Sequence, residues 1–443
     1  MQARLRALVF SLAAAFYLAA GTYSASHFSA DFIPVYAGAR CMMHGCNPYD
    51  SRQLEQQYLE GHGARKLITP TTWTDRPSVY PPSTFVAVFP LAWLNFKVAA
   101  VLWALLSGSA LILATAFVIS VTSRADSWIP TLLGSFILIV SWRLLDYGNP
   151  ATFACSLAII GTLLFLIGRH VPTGAILLAL SLALKPQVVG LIILYLLVRG
   201  VYRGWAMLSL TLGLGFLLAG VLMLQMHPGD HGWMQTLHAN IAECVQPGHV
   251  NDPSPANKRG GLLNLQTLTS IFLSNPRAAD AAAVGITLFL FLLWIFVVWK
   301  LEARRSAMEP PNHFLVLPPL LVLLLLPVYH SSFDARVLLL SIPMTVIVMQ
   351  SHKALGIALA VVTAFPFFFE SFSRFIMMSG GRFGHLAGFL SSKAAFFILL
   401  RAWCPELLLL FGLQLAALWR YQANPVSHQA LISSVSPQSF QAT

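Results

Sequence analysis

Residues 173–198 read TGAILLALSLALKPQVVGLIILYLLV. Outside the central Lys-Pro-Gln the run is apolar and uncharged. It is too long for one crossing of a hydrocarbon layer roughly 30 Å thick, and each arm alone is short for one. Pro186 has no N–H to give a helix, so the run reads as two short helices, tilted or re-entrant, that meet at Lys185. Irregular backbone at membrane depth is tolerated mainly where it lines a cavity, and an ammonium there suits a phosphate. A lysine at a helix end can also snorkel to the interface. The residues by themselves leave both readings open.

The rest of the chain fits this setting. Its 443 residues are 57% hydrophobic and 10% charged, with a mean hydropathy of +0.71. Soluble domains keep roughly a quarter of their residues charged. Further apolar runs fall near 7–23, 97–120, 128–142, 151–168, 205–226, 281–300, 313–328, 337–350, 354–369 and 394–419. The expected fold is all-α and polytopic, with about twelve transmembrane helices. Residues 1–30 carry Arg4 and Arg6 before an apolar core, as signal peptides do. That core is long for a signal, so it reads as a first helix with its N-terminus inside. Residues 83–94, short and holding Pro90, read as a re-entrant or surface-lying helix.

The net charge of +11 does not signal nucleic-acid binding, because no basic helix or basic run supports it. Lys and Arg concentrate instead in short loops such as EARR (302–305) and RGVYRG (199–204), with Arg124, Arg169, Lys353 and Arg420 in agreement. These mark the inner side. Counting outward leaves 24–96, 143–150, 185–187, 227–280, 329–336 and 370–393 outside. One transmembrane catalytic domain is expected over 1–420, with large outer loops at 24–96 and 227–280 and a polar, disordered cytoplasmic tail at 421–443.

The polar residues that break the apolar pattern all fall on the outer side. Asp31 follows the first helix; it is either a helix-flanking carboxylate or a working one. Arg143 and Asp146 share the short loop WRLLDYGNP (142–150), as an ion pair or as cavity lining. YHSSFDARVLLLSIP (329–343) places His330, Asp334 and Arg336 in one turn, as a self-neutralising cluster or as ligand contacts. Cys41 and Cys46 are a possible disulfide on the oxidising side, with Cys244 a competing partner. They lack further Cys or His for a zinc site, and the His227, Asp230, His231 spacing matches no well-defined metal motif. No cofactor is expected, with a divalent metal left open.

Five segments in order, DFIPVYAGARCMMHGCNPYD (31–50), VYPPSTFVAVFPLAWL (79–94), YGNPATFACSLAIIGTLLFL (147–166), LALKPQVVGLIILYLLVRGVYRGW (182–205) and FDARVLLLSIP (333–343), resemble glycosyltransferase family 87. Those enzymes have the GT-C type of membrane fold and include mannosyltransferases that use polyprenyl-phosphate mannose. The chain has YGNP where the family usually shows Gly-Gln, and Asp-Ala-Arg where Asp-Leu is usual. The resemblance implies an inverting hexosyltransferase in a bacterial inner membrane with an extracytoplasmic active site. Its partners would be a polyprenyl-phosphate sugar, mannose foremost, and a glycan or glycolipid acceptor. Asp31 would be the general base, with Lys185, Arg336, Arg143 and His330 on the donor phosphate. Tyr36, Tyr80, Asp146, Asn149, Gln187 and Asp334 would line the substrate site. A secondary transporter and a lipid-linked-glycan flippase are the rival readings. Transporters usually show short loops and internal repeats, whereas this chain has two long outer loops rich in Trp, Tyr, Pro and His.

Overall fold

The computed structural model describes residues 2–26, 29–67, 77–122, 127–226, 232–249, 251–254, 262–303, 312–327, 330–378 and 403–421. Among them the chain is helical and forms no sheet; the one β-bridge joins Leu262 to Ser331. Six helical segments are long and apolar enough to cross a membrane: α1 (Gln2–Ala25), α5 (Phe96–Thr122), α8 (Pro150–Ile167), α11 (Arg203–Gln225), α14 (Pro276–Ala303) and Asp334–Ser351. The last is a 3-10 stretch, Asp334–Ser341, that runs into α16 (Ile342–Ser351). Shorter apolar helices stand among them: α6 (Ile129–Ser141), α9 (Val171–Leu184), α10 (Pro186–Val198) and α15 (His313–Leu325). The helices α17 (Lys353–Met378) and α18 (Trp403–Tyr421) complete the bundle. The protein is thus an integral membrane protein by the length and composition of these helices.

The long apolar run breaks where Pro186 requires. Helix α9 ends on Lys185, whose extended backbone (φ −155°, ψ 86°) also begins α10. Both arms return to the same end of the bundle: Gly168, just before α9, lies against Tyr202, just after α10. The pair is therefore a hairpin with Lys185 at its tip. Leu182 packs on Gly213, near the middle of α11, so the tip sits within the bundle rather than beyond it.

The two ends of the bundle differ in chemistry. At one end Arg6 donates to the Ser127 carbonyl, Arg199 pairs with Glu302, and the Tyr195 hydroxyl meets His313 Nδ1 at 2.7 Å. At the other, the described residues of 24–96 include α2 (Phe32–His44), α3 (Ser51–Glu60), α4 (Pro82–Val88) and 3-10 turns at Arg65–Leu67 and Phe89–Trp93. Residues 83–94 therefore form two short turns rather than a crossing. Helices α12 (Trp233–Cys244) and α13 (Gln266–Phe272) come from the second long loop. Asn240 on α12 donates to the carbonyls of Tyr49 (2.9 Å) and Ser78 (3.0 Å), and Trp233 stacks on Tyr49, so the two long loops form one cap. Cys41 and Cys46 are disulfide-bonded at the end of α2, and Cys244 is a buried thiol. The 421–443 tail, His227, Asp230, His231 and Arg124 lie outside the described residues or, for Tyr421, outside the described side chains.

Candidate active site

Asp31 stands at the N-cap position of α2, half-buried. A run of small and apolar residues from Phe32 to Ala39 buries the helix behind it. Its backbone N–H donates to the Tyr147 carbonyl at 2.8 Å, and Asn149 Nδ2 donates to Asp31 Oδ2 at 2.9 Å. Both partners lie in the turn between α7 (Arg143–Tyr147) and α8, where Gly148 adopts the left-handed conformation (φ +67°). Asn149 also caps α8, its Oδ1 accepting from the Ala151 N–H at 2.9 Å.

A second polar centre lies deeper. Lys185 Nζ sits 2.6 Å from Asp334 Oδ1. Asp334 Oδ2 accepts the Ser331 N–H at 3.0 Å and lies 3.1 Å from His330 Nδ1. Asp334 and His330 have no exposed surface, and the Lys185 side chain keeps 9%. One carboxylate thus binds an ammonium and an imidazole at once. Arg336, two residues on, donates to the Ser332 carbonyl and to Ser141 Oγ (3.0 Å), and its guanidinium lies 5.0 Å from the Phe367 ring centre. The rings of Tyr147 and Phe333, 5.7 Å apart and edge to face, connect the two centres. The hydroxyl of Thr84 on α4 donates to the Leu184 carbonyl at 2.8 Å and ties the loop cap to the hairpin tip.

The structure brings Asp31 and Asn149 together, and separately Lys185, Asp334 and His330. It gives Tyr36 a packing environment: the side chain is fully buried, and its hydroxyl donates to the Leu94 carbonyl at 2.6 Å. Burial pushes that phenol up, against the pull of Arg40, so it stays a donor at neutral pH. Tyr80 is half-buried, and its carbonyl accepts from the Tyr49 hydroxyl at 2.9 Å. Gln187 is exposed on the first turn of α10, and Asp146 is half-buried on α7. The Arg143 side chain lies outside the described residues. Sequence reasoning did not find Ser141, Ser331 or Trp103. Ser141 and Ser331 are ordinary small polar residues whose role comes only from what folds beside them. Trp103 stands in an apolar helix, where an indole reads as packing.

No curated protein and no solved structure matches the chain. The family model described as glycosyltransferase family 87 matches residues 79–327, a span that holds Tyr80, Asn149 and Lys185, lies downstream of Asp31 and ends short of His330. That span is more than half of the 443 residues and contains the α9–α10 hairpin: the chain belongs to glycosyltransferase family 87 and is a glycosyltransferase.

Proposed function

We propose that the protein is an inverting hexosyltransferase that moves mannose from a polyprenyl-phosphate donor to a glycan or glycolipid acceptor. The reading places it in a bacterial inner membrane with its active site outside. The observation that carries it is the pairing of two unlike centres at one end of the bundle. Asp31 is a half-buried carboxylate at the rim, and Lys185 is a mostly buried ammonium at a helix break. A sugar hydroxyl needs a positioned base, and a leaving phosphate needs cations.

In this mechanism Asp31 takes the proton of the acceptor hydroxyl. The oxygen attacks the anomeric carbon from the face opposite the phosphate, the bond from that carbon to the phosphate oxygen breaks, and its electron pair leaves with the phosphate. A single displacement inverts the anomeric centre. An ammonium has three N–H donors; Asp334 takes one from Lys185, and two remain for phosphate oxygens. His330 and Arg336 stand beside it. A membrane bundle suits such a donor because the lipid chain needs an apolar surface near the reacting phosphate. The test is transfer of radiolabelled mannose from polyprenyl-phosphate mannose in membranes, wild type beside Asp31→Asn. Turnover is expected to fall by roughly 10²–10⁴-fold in the variant. Near wild-type transfer by Asp31→Asn would move the search for the base to Asp146.

A further inference from the structure

The turn Tyr147–Gly148–Asn149 grips Asp31 and its neighbour from three directions. The Tyr147 carbonyl accepts the Asp31 N–H (2.8 Å). The Gly148 carbonyl accepts the indole N–H of Trp103 (2.8 Å), and that indole stacks on Phe32 with ring centres 5.4 Å apart and planes 12° apart. The Asn149 amide reaches the Asp31 carboxylate itself. Gly148 sits so close to α2 that a Cβ there would stand 2.7 Å from the Phe32 Cβ. The turn and the start of α2 are in direct contact, with no room for a side chain between them.

Asn149 can serve this carboxylate in only one orientation. An amide has one acceptor oxygen and one donor nitrogen. The oxygen is committed to the first free N–H of α8, at Ala151. The nitrogen is thereby aimed at Asp31 Oδ2, since a carboxylate accepts and does not donate. The cap of one helix thus sets the direction of a donor toward another helix.

We propose that Asn149 is a positioning residue for the reaction: it orients the Asp31 carboxylate without contacting the sugar. This rests on the reading of Asp31 as the base. Removing the donor takes away a hydrogen bond that sets the direction of the carboxylate, so proton abstraction slows while substrate affinity stays. Small misplacements of a catalytic group cost up to about 10²-fold.

The two duties of Asn149 are separable by substitution. Asn149→Ser keeps a side-chain oxygen suited to capping α8 and lacks the reach and the amide donor for Asp31. Asn149→Ala loses both. The experiment measures kcat and KM for donor and acceptor, with thermal midpoints, for wild type, both Asn149 variants and Asp31→Asn. We expect Asn149→Ser to keep a near wild-type midpoint and both KM values, with kcat down roughly 10–100-fold. Asn149→Ala should show the same kcat loss and a lower midpoint. In the Asp31→Asn background the serine substitution should cost no further activity. Three results overturn the proposal: near wild-type kcat in Asn149→Ser; a rise in KM at constant kcat, which makes Asn149 a substrate ligand; or an undiminished loss in the Asp31→Asn background. If Asp31→Asn itself transfers normally, the base assignment fails first, and the positioning role falls with it.

Discussion

The Lys185–Asp334 pair offers a test that separates stability from chemistry. Asp334 is fully buried and Lys185 nearly so, at 2.6 Å. Lys185→Met keeps most of the stem and removes the ammonium, leaving a carboxylate in the bundle with, among the described residues, His330 and the Ser331 N–H against it. Asp334→Asn keeps an oxygen for the Ser331 N–H and strands the ammonium. Breaking a buried pair from one side costs about 3–5 kcal/mol, because the remaining charge is uncompensated. The double variant carries neither charge, and its net loss should be about 1–2 kcal/mol, since uncharged replacements of buried pairs are often near neutral. The coupling energy is then at least about 4 kcal/mol, from two singles near 3 and a double near 2. Equilibrium unfolding in mixed micelles measures all four corners of the cycle. Additive losses, with the double variant weaker than either single, would refute the pair as a coupled unit. Activity supplies the second reading. If Lys185 binds the donor phosphate, the double variant regains stability and not transfer. If it regains both, Lys185 is only the counterion of Asp334.

Other outcomes follow from single features. Gly148→Ala forces a side chain into a left-handed position (φ +67°) and against Phe32; it should cost about 1–2 kcal/mol from the backbone alone and lower kcat, checked by thermal midpoint and transfer rate. Cys41→Ser with Cys46→Ser opens a loop with a sequence separation of 5. By chain entropy this costs roughly 2 kcal/mol, read as a lower midpoint, with transfer retained within a few-fold. Ser51→Cys, at the start of α3, should react with an impermeant thiol reagent in intact cells, and Ser306→Cys, which follows the sequence EARR (302–305), should not. Burial pushes the Cys244 thiol up to about 12, so its thiolate is scarce at pH 8 and its alkylation rate should still be climbing through pH 10, where an ordinary thiol has levelled off. A plateau below pH 9 in a pH series of labelling would contradict that burial.

The apolar runs predicted nearly every long helix of the bundle, because a crossing segment must satisfy its own backbone and present apolar side chains along its length. The break at Lys185 was equally plain, since Pro186 cannot continue a helix and no apolar neighbour hides a lysine. The basic residues of the short loops marked one expected side of the chain, and Arg199 and Glu302 from two of those loops pair with each other in the structure. The family followed from the order of five short segments. What those residues do to one another did not. Nothing in the sequence links Asn149 to Asp31 across 118 positions, or Lys185 to an aspartate nearly 150 residues later. The resemblance offered Asn149 and Tyr36 only as residues lining a substrate site, and the sequence showed Asp334 as one charge in a cluster. Only the packing of α2 against the α7–α8 turn, and of the hairpin tip against the 330–336 turn, gives these groups their partners. Local sequence sets which segments are helical through propensity and burial of their own surface; hydrogen bonds and ion pairs at a site act over about 3 Å, and that proximity exists only once distant helices have packed.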